Sequence, residues 1–330
     1  MRRREFISLL AGAAAGWPLA THAQPNDRVR LVGVLSSGAE SDPYYRNLLR
    51  AFREGLQQQG WIEGRNLRID ARFGALDFVR VQRNMHELVT LAPDAIVVGG
   101  ADQTRMLQQR TQTIPIVFVQ VADPIAVGLV GSIARPGGNT TGITNLFPSI
   151  AGKWLGLLKE AAPHVARVAL VFNPEFPVNE IYLAAIEAAA AALPVKTIRA
   201  PVRTATDIDR AIDVVVATEP NGGLIAVPPP GAEANRGLLF RLANQHRLPS
   251  ISVDKHHISE GCLMSYGPDS GNLYRQAASY VDRILRGAKP GELPVQFPTK
   301  FEFVISLKTA KEIGLAIAPT LRALADEVIE

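Results

Sequence analysis

Thr113-Ile114-Pro115-Ile116-Val117-Phe118-Val119-Gln120-Val121-Ala122-Asp123-Pro124 is the stretch whose reading decides the fold. Residues 114–121 are an apolar, β-branched run of strand length, the pattern of a strand buried on both faces. Proline at 124 stops the run, and Asp123 stands where a following helix would begin. In an open parallel sheet, ligands bind just beyond the carboxyl ends of the strands. Ala122 and Asp123 are therefore candidate ligand contacts, and a helix N-cap is the competing role for the aspartate.

Working outward, the same alternation recurs on both sides. Residues 30–35 read as a first strand ending on Ser36-Ser37-Gly38. Tyr45, Leu48, Leu49, Phe52 and Leu56 follow at helical spacing, and Gly60 ends that helix. Residues 66–71 and 95–98 are further strands. The latter runs into Gly99-Gly100-Ala101-Asp102-Gln103-Thr104. Strand–helix alternation of this kind means a parallel sheet covered by helices. The turn-rich segment 135–145 breaks the rhythm and reads as a crossover, after which the plan restarts.

In the second half, Ser149 can cap a helix carrying Trp154, Leu158 and Ala161. Residues 167–172 form a strand ending on Asn173-Pro174-Glu175, and an Ala-rich helix spans 178–192. Residues 195–198, 224–227 and 250–253 are strands, and 261–267 is a buried strand and second crossover. Asp269 caps a helix that Gly287 ends. The Gly- and Pro-rich residues 287–299 read as a linker, 301–305 as a last strand and 308–313 as a last helix. The expected architecture is α/β: two Rossmann-like lobes with parallel sheets, joined by a three-segment hinge. Lobe 1 is residues 24–143 with 266–289, and lobe 2 is 144–265 with 290–330.

A chain of 330 residues, 47% hydrophobic and 20% charged, is ordinary globular material and long enough for two lobes. The formal charge of +4 falls to +2 without residues 1–23. That balance, with no basic run interleaved with aromatics, gives no reason to expect nucleic acid. One cysteine, Cys262, excludes an internal disulfide and a cysteine zinc cluster. Residues 1–23 open on Arg2-Arg3-Arg4-Glu5-Phe6-Ile7, continue through an apolar run and end on Thr21-His22-Ala23. This is the three-part secretory signal, with cleavage expected after Ala23. Arg3-Arg4 placed two residues before Phe6-Ile7 has the twin-arginine pattern. The expected location is outside the cytoplasm, in the periplasm.

Catalytic signatures are missing. No G-x-G-x-x-G follows a strand, no G-x-S-x-G elbow occurs, and Gly137 and Gly142 are followed by Ile143-Thr144 instead of Lys-Ser/Thr. His86-Glu87 begins like a zinc-protease helix without the second histidine, and the adjacent His256 and His257 diverge on a helix. No cofactor, no metal and no catalysis are expected. What recurs are polar clusters at strand ends: Ser36 and Ser37, Ala101 to Thr104, and Ala122-Asp123 in the first half. The second half has Asn173 and Glu175, Val227-Pro228-Pro229, and Val253-Asp254. Two sheets facing across a hinge would bring these together around a small polar ligand. Hydroxyls and helix N-terminal amides suit a carboxylate, and Asp123 or Asp254 an ammonium.

Several stretches carry a family resemblance. Gly60-Trp61-Ile62-Glu63-Gly64-Arg65-Asn66, Ile114-Pro115-Ile116-Val117-Phe118, Ala134-Arg135-Pro136-Gly137-Gly138-Asn139, Asn221-Gly222-Gly223, Tyr266-Gly267-Pro268-Asp269 and Pro298-Thr299-Lys300-Phe301-Glu302 are among them, as is the export start. Together they resemble the bacterial ABC-transporter substrate-binding proteins that include tryptophan- and tyrosine-binding members. The resemblance covers essentially the whole chain. It implies a type I periplasmic-binding-protein fold, a ligand closed between lobes, no catalysis, and delivery to an inner-membrane ABC permease by a monomer. Asp123-Pro124 matches the site turn of that family. The loop after the third strand, with its extra carboxylate at Asp102, and Pro228-Pro229-Pro230 after the strand at 224–227 depart from the aromatic amino-acid binders. A ligand-sensing module on the same fold is the alternative. It would need a DNA-binding or membrane-spanning segment beside the fold.

Overall fold

The computed structural model describes residues 28–75, 77–145, 150–216, 221–227 and 236–330. Its strands divide between two sheets. The first contains β1 (Arg30–Ser36), β2 (Leu67–Phe73), β3 (Ala95–Gly99), β4 (Ile116–Val121) and β5 (Thr140–Thr144), in the order β2-β1-β3-β4-β5. Every pairing in it is parallel, with Val32 opposite both Ile69 and Ala95, and Val97 opposite Val117. This is why β3 and β4 read as unbroken apolar runs. Ile96, Val97, Val98, Val117, Phe118 and Val119 are all fully buried, because helices cover both faces.

The second sheet holds β6 (Arg167–Phe172), β7 (Lys196–Pro201), β8 (Gly222–Ala226), β9 (Ser250–Ser252), β10 (Met264–Pro268), β11 (Phe301–Ser306) and β12 (Glu327–Ile329). Its order is β12-β11-β10-β9-β8-β6-β7, so strands β6 to β10 repeat the order of β1 to β5. Among the described residues, only the β10–β11 pairing is antiparallel. The fold is α/β with parallel-dominated sheets, as expected.

Helices α1 (Pro43–Gln58), α2 (Phe78–Thr90) and α3 (Ala101–Arg110) cover the first sheet. Helices α4 (Ala151–Ala161), α5 (Val178–Ala190), α6 (Ala205–Val216) and α7 (Arg236–Gln245) accompany the second, followed by the single turn α8 (His256–Ser259). Helix α9 (Ser270–Leu285) leaves the second sheet and packs on the first. Its Leu273, Ala277, Val281 and Ile284 share one core with Leu48, Phe52 and Leu56 of α1. Asp269 caps α9 by accepting from the Asn272 amide at 2.9 Å, and Asp42 caps α1 through the Tyr44 amide at 2.9 Å.

Some local expectations shift. The chain does not end after β11 and the helix that follows it. Helix α10 (Leu307–Glu312) is followed by α11 (Pro319–Leu324) and β12, elements of six and three residues, too short for a periodic signal. The segment 287–299, read as a linker, is packed along part of its length. Leu293 and Val295 are buried against the first sheet, Gln296 donates its amide to Gly142 and accepts from that of Thr144. No helix starts at Asp123; a turn occupies residues 124–128. The cap assigned to Ser149 lies outside the described residues.

Candidate functional site

In parallel sheets every strand delivers its carboxyl end to the same edge, so the clusters after β1, β3 and β4 lie along one rim. Ser36 and Ser37 close β1 and are half-buried. The Ser36 hydroxyl accepts from the Gly38 amide at 3.3 Å, and its carbonyl from the Gly74 amide at 2.8 Å. After β3 the chain turns at Gly100, whose φ of +85° favours glycine, and enters α3 with no side chain capping its first turn. Ala101 and Gln103 are half-buried and Asp102 is exposed. Thr104 is buried and donates its hydroxyl back to the Gly100 carbonyl at 2.6 Å, so it serves the helix rather than the rim.

Strand β4 breaks its ladder one residue before its end. The register shifts between Val119 and Val121, and Gln120 sits at φ +60°. A bulge of this kind re-aims a side chain. Ala122 and Asp123 follow, and Asp123 Oδ1 accepts from the amides of Ile125 (3.1 Å) and Ala126 (3.0 Å). The aspartate therefore pins a turn with one carboxylate oxygen.

The second rim is built similarly. Asn173 Oδ1 accepts from the Glu175 amide at 3.0 Å, and the Asn173 carbonyl accepts from Asn179 Nδ2 at 2.8 Å. Glu175 is exposed, 3.9 Å from Arg203. Pro228 lies outside the described residues. Asp254, after β9, spends both oxygens: Oδ1 accepts from the His256 amide and Oδ2 from the Tyr44 hydroxyl, each at 2.9 Å.

That last bond joins the two bodies. Tyr44 stands in the first turn of α1, and Gln120 Nε2 donates to its hydroxyl at 3.1 Å and to Ser270 Oγ at 3.2 Å. The His256 ring lies tilted against the Tyr44 ring with centroids 4.6 Å apart. Burial and then the charge of Asp254 push the Tyr44 hydroxyl well above its usual range, so it stays protonated and donates. Sequence reading found Asp254 but not Tyr44, Gln120 or Ser270. Only Gln120 left a signal, as the one polar side chain inside the apolar run 116–121.

A groove of about 1310 Å3 runs beside this contact. Tyr44, Asn47 and Glu54 line one wall, and Lys255, His256 and Lys308 the other. Of the described strand-end candidates it reaches only Asp254. The groove is the flank of the inter-body seam, whereas the rims of Ser36 to Asp123 and Asn173 to Glu175 lie off it. Among the described residues no group of three or more His, Cys, Asp or Glu could hold a metal. The chemistry on offer at the strand ends is that of hydroxyls, amides and carboxylates, which is suited to binding.

Residues 41–329 match the family model described as ABC transporter substrate binding protein. A tyrosine-binding protein of Clostridioides difficile (strain R20291) is 23% identical over 334 residues, covering 96% of this chain and 94% of the relative. Among solved structures, a conserved domain protein from Vibrio cholerae has a TM-score of 0.78 at 26% identity, covering 91% of this chain and all of the other. A domain from Streptococcus pneumoniae in complex with L-Trp has a TM-score of 0.75 at 21% identity, covering 90% and 100%.

Proposed function

The chain belongs to the ABC transporter substrate-binding protein family, and we propose that it captures a small polar ligand, amino-acid-like or an aromatic acid, between its two lobes. In this reading the protein is exported, loses residues 1–23, works as a monomer in the periplasm and hands its ligand to an ABC permease. Its role is solute binding, not catalysis. Among the described residues no helix is long and apolar enough to cross a membrane.

The observation that carries the ligand reading is the arrangement of the two sheets. They repeat one strand order, and the bodies they belong to are joined by the hydrogen bond from Tyr44 of α1 to Asp254, which stands just after β9. Ligands of open α/β sheets bind at such ends. Ser36, Ser37, Ala101, Asp102, Gln103, Ala122 and Asp123 would face the ligand from one lobe, and Asn173 and Glu175 from the other. The acidic members, Asp102, Asp123 and Glu175, favour a ligand carrying a positive or donor group. The relatives named for tyrosine and complexed with L-Trp make amino acids the first chemistry to try.

A thermal-shift screen of the mature protein against amino acids, purines, organic acids and aromatic acids tests this. A binder at a hundredfold excess over its Kd stabilises the fold by about 2.7 kcal/mol. The expected result is a shift confined to one class. A flat response to the amino and aromatic acids, with a shift from purines, would replace the ligand class. No shift from any compound would count against solute capture in this size range.

A further inference from the structure

We propose that Tyr44, Gln120 and Ser270 form, with Asp254, a latch that holds the two lobes together by protein–protein hydrogen bonds independent of any ligand atom, and that Gln120 positions it. The proposal rests on the two-lobe reading above and adds the residues that set the closure equilibrium.

Four segments distant in sequence meet at one hydroxyl. Tyr44 comes from α1, Gln120 from the end of β4, Asp254 from the loop after β9, and Ser270 from the first residue of α9. Tyr44 and Gln120 belong to the first lobe and Asp254 to the second, while Ser270 stands just after the passage between them. A phenol has one proton. It goes to Asp254 Oδ2 at 2.9 Å, the shortest bond at this oxygen and the one with a charged acceptor. The Gln120 amide then serves as donor to the phenol oxygen and to Ser270 Oγ. Asp254 is itself oriented by the His256 amide on its other oxygen.

The cost of this arrangement sits at Gln120. A non-glycine residue at φ +60° inside a strand is strained, and such strain persists where surrounding structure requires it. In an unbulged β4, residue 120 would continue the pleat. The bulge swings its amide to the strand end, where it braces Tyr44. The His256 ring packs on the Tyr44 ring, so the ring has contacts that survive loss of the hydroxyl.

The test is pulsed electron–electron distance measurement on the mature protein without added ligand. Spin labels go on Q57C and K311C, exposed positions on the two lobes. The native Cys262 is buried and does not compete for the label. Tyr44→Phe keeps the ring and removes only the hydroxyl, so the open-to-closed ratio should rise about tenfold, the scale of a hydrogen bond to a charged group. Gln120→Gly removes the brace while suiting the positive φ. It should open the lobes more than wild type but less than Tyr44→Phe, with no loss of melting temperature. Ser270→Trp, a wedge at the seam, is the control for hinge motion. If the wedge lengthens the distance and Tyr44→Phe leaves it unchanged, the latch is overturned and the two-lobe reading stands. If neither changes it, the lobes do not hinge and both fall.

Discussion

Gly55 on α1 lies so close to α9 that a Cβ added at 55 would stand 2.7 Å from the Ala278 Cβ and 3.2 Å from the Arg275 Cα. The two helices are more than 200 residues apart in the chain, yet they form one covering layer on the first sheet. The close approach ties the returning segment to the lobe it left.

Gly55→Val should therefore force α9 away from α1. Overpacking of this kind costs about 1–3 kcal/mol. Denaturant melts followed by circular dichroism should show a lower midpoint, whereas Gly55→Ala should lie between wild type and valine. A valine variant as stable as wild type would mean that the helices can separate without penalty.

Asp123 carries two amide bonds on one oxygen. Asp123→Ala should lower stability by roughly 1–2 kcal/mol, from two modest hydrogen bonds lost, while Asp123→Asn keeps an acceptor and should melt close to wild type. If the carboxylate also meets the ligand, the asparagine variant should bind more than tenfold more weakly, once a ligand is in hand. Normal binding by that variant with early melting by the alanine variant would assign Asp123 to the turn alone.

Asp269 caps α9 and lies 3.0 Å from Lys300 Nζ. Burial acts to raise its pKa, but the Asn272 amide and Lys300 outweigh burial and hold the carboxyl below its usual range. A depressed folded pKa contributes stability that is present above the unfolded value, about 3.9, and is lost as pH falls through the folded value. The stability gap between wild type and Asp269→Asn should thus be open at pH 7 and close progressively below about pH 4. A gap independent of pH would show that the charge contributes nothing to the cap.

Cys262 is fully buried, and burial pushes its thiol up to about 11 even though neighbouring serine hydroxyls favour the thiolate. Thiolate is the reactive form, so an aromatic disulfide reagent at pH 8 should not react in the native state. In urea it should release one chromophore per chain, matching the single cysteine. Fast reaction under native conditions would require opening of the second lobe around β10.

The sequence alone determined the strand–helix alternation, the restart of the plan after residue 145 and the parallel character of the sheets. Each of these is a local matter of hydrophobic period and of turn residues. Residues 116–121 can be read as a doubly buried strand because burial on both faces demands apolar side chains at every position. The cap at Asp269 was legible for a similar reason, since its partner lies within three residues; at Asp123 the local amide partners were legible, but the helix expected to follow is a turn. The seam could not be read this way. Tyr44 and Asp254 are 210 positions apart, and a tyrosine in the first turn of an amphipathic helix looks the same whether it meets solvent or a carboxylate of the other lobe. Gln120 was visible as a polar residue in an apolar strand, but its direction depends on a bulge and a positive φ that no pattern announces. Thr104 had the right residue type at the right strand end, and its complete burial, with the hydroxyl bonded back to the Gly100 carbonyl, comes only with the packed helix. Hydrogen bonds are satisfied by whatever donor the folded chain brings within about 3 Å, and that choice is made by packing between segments, not by spacing along one of them.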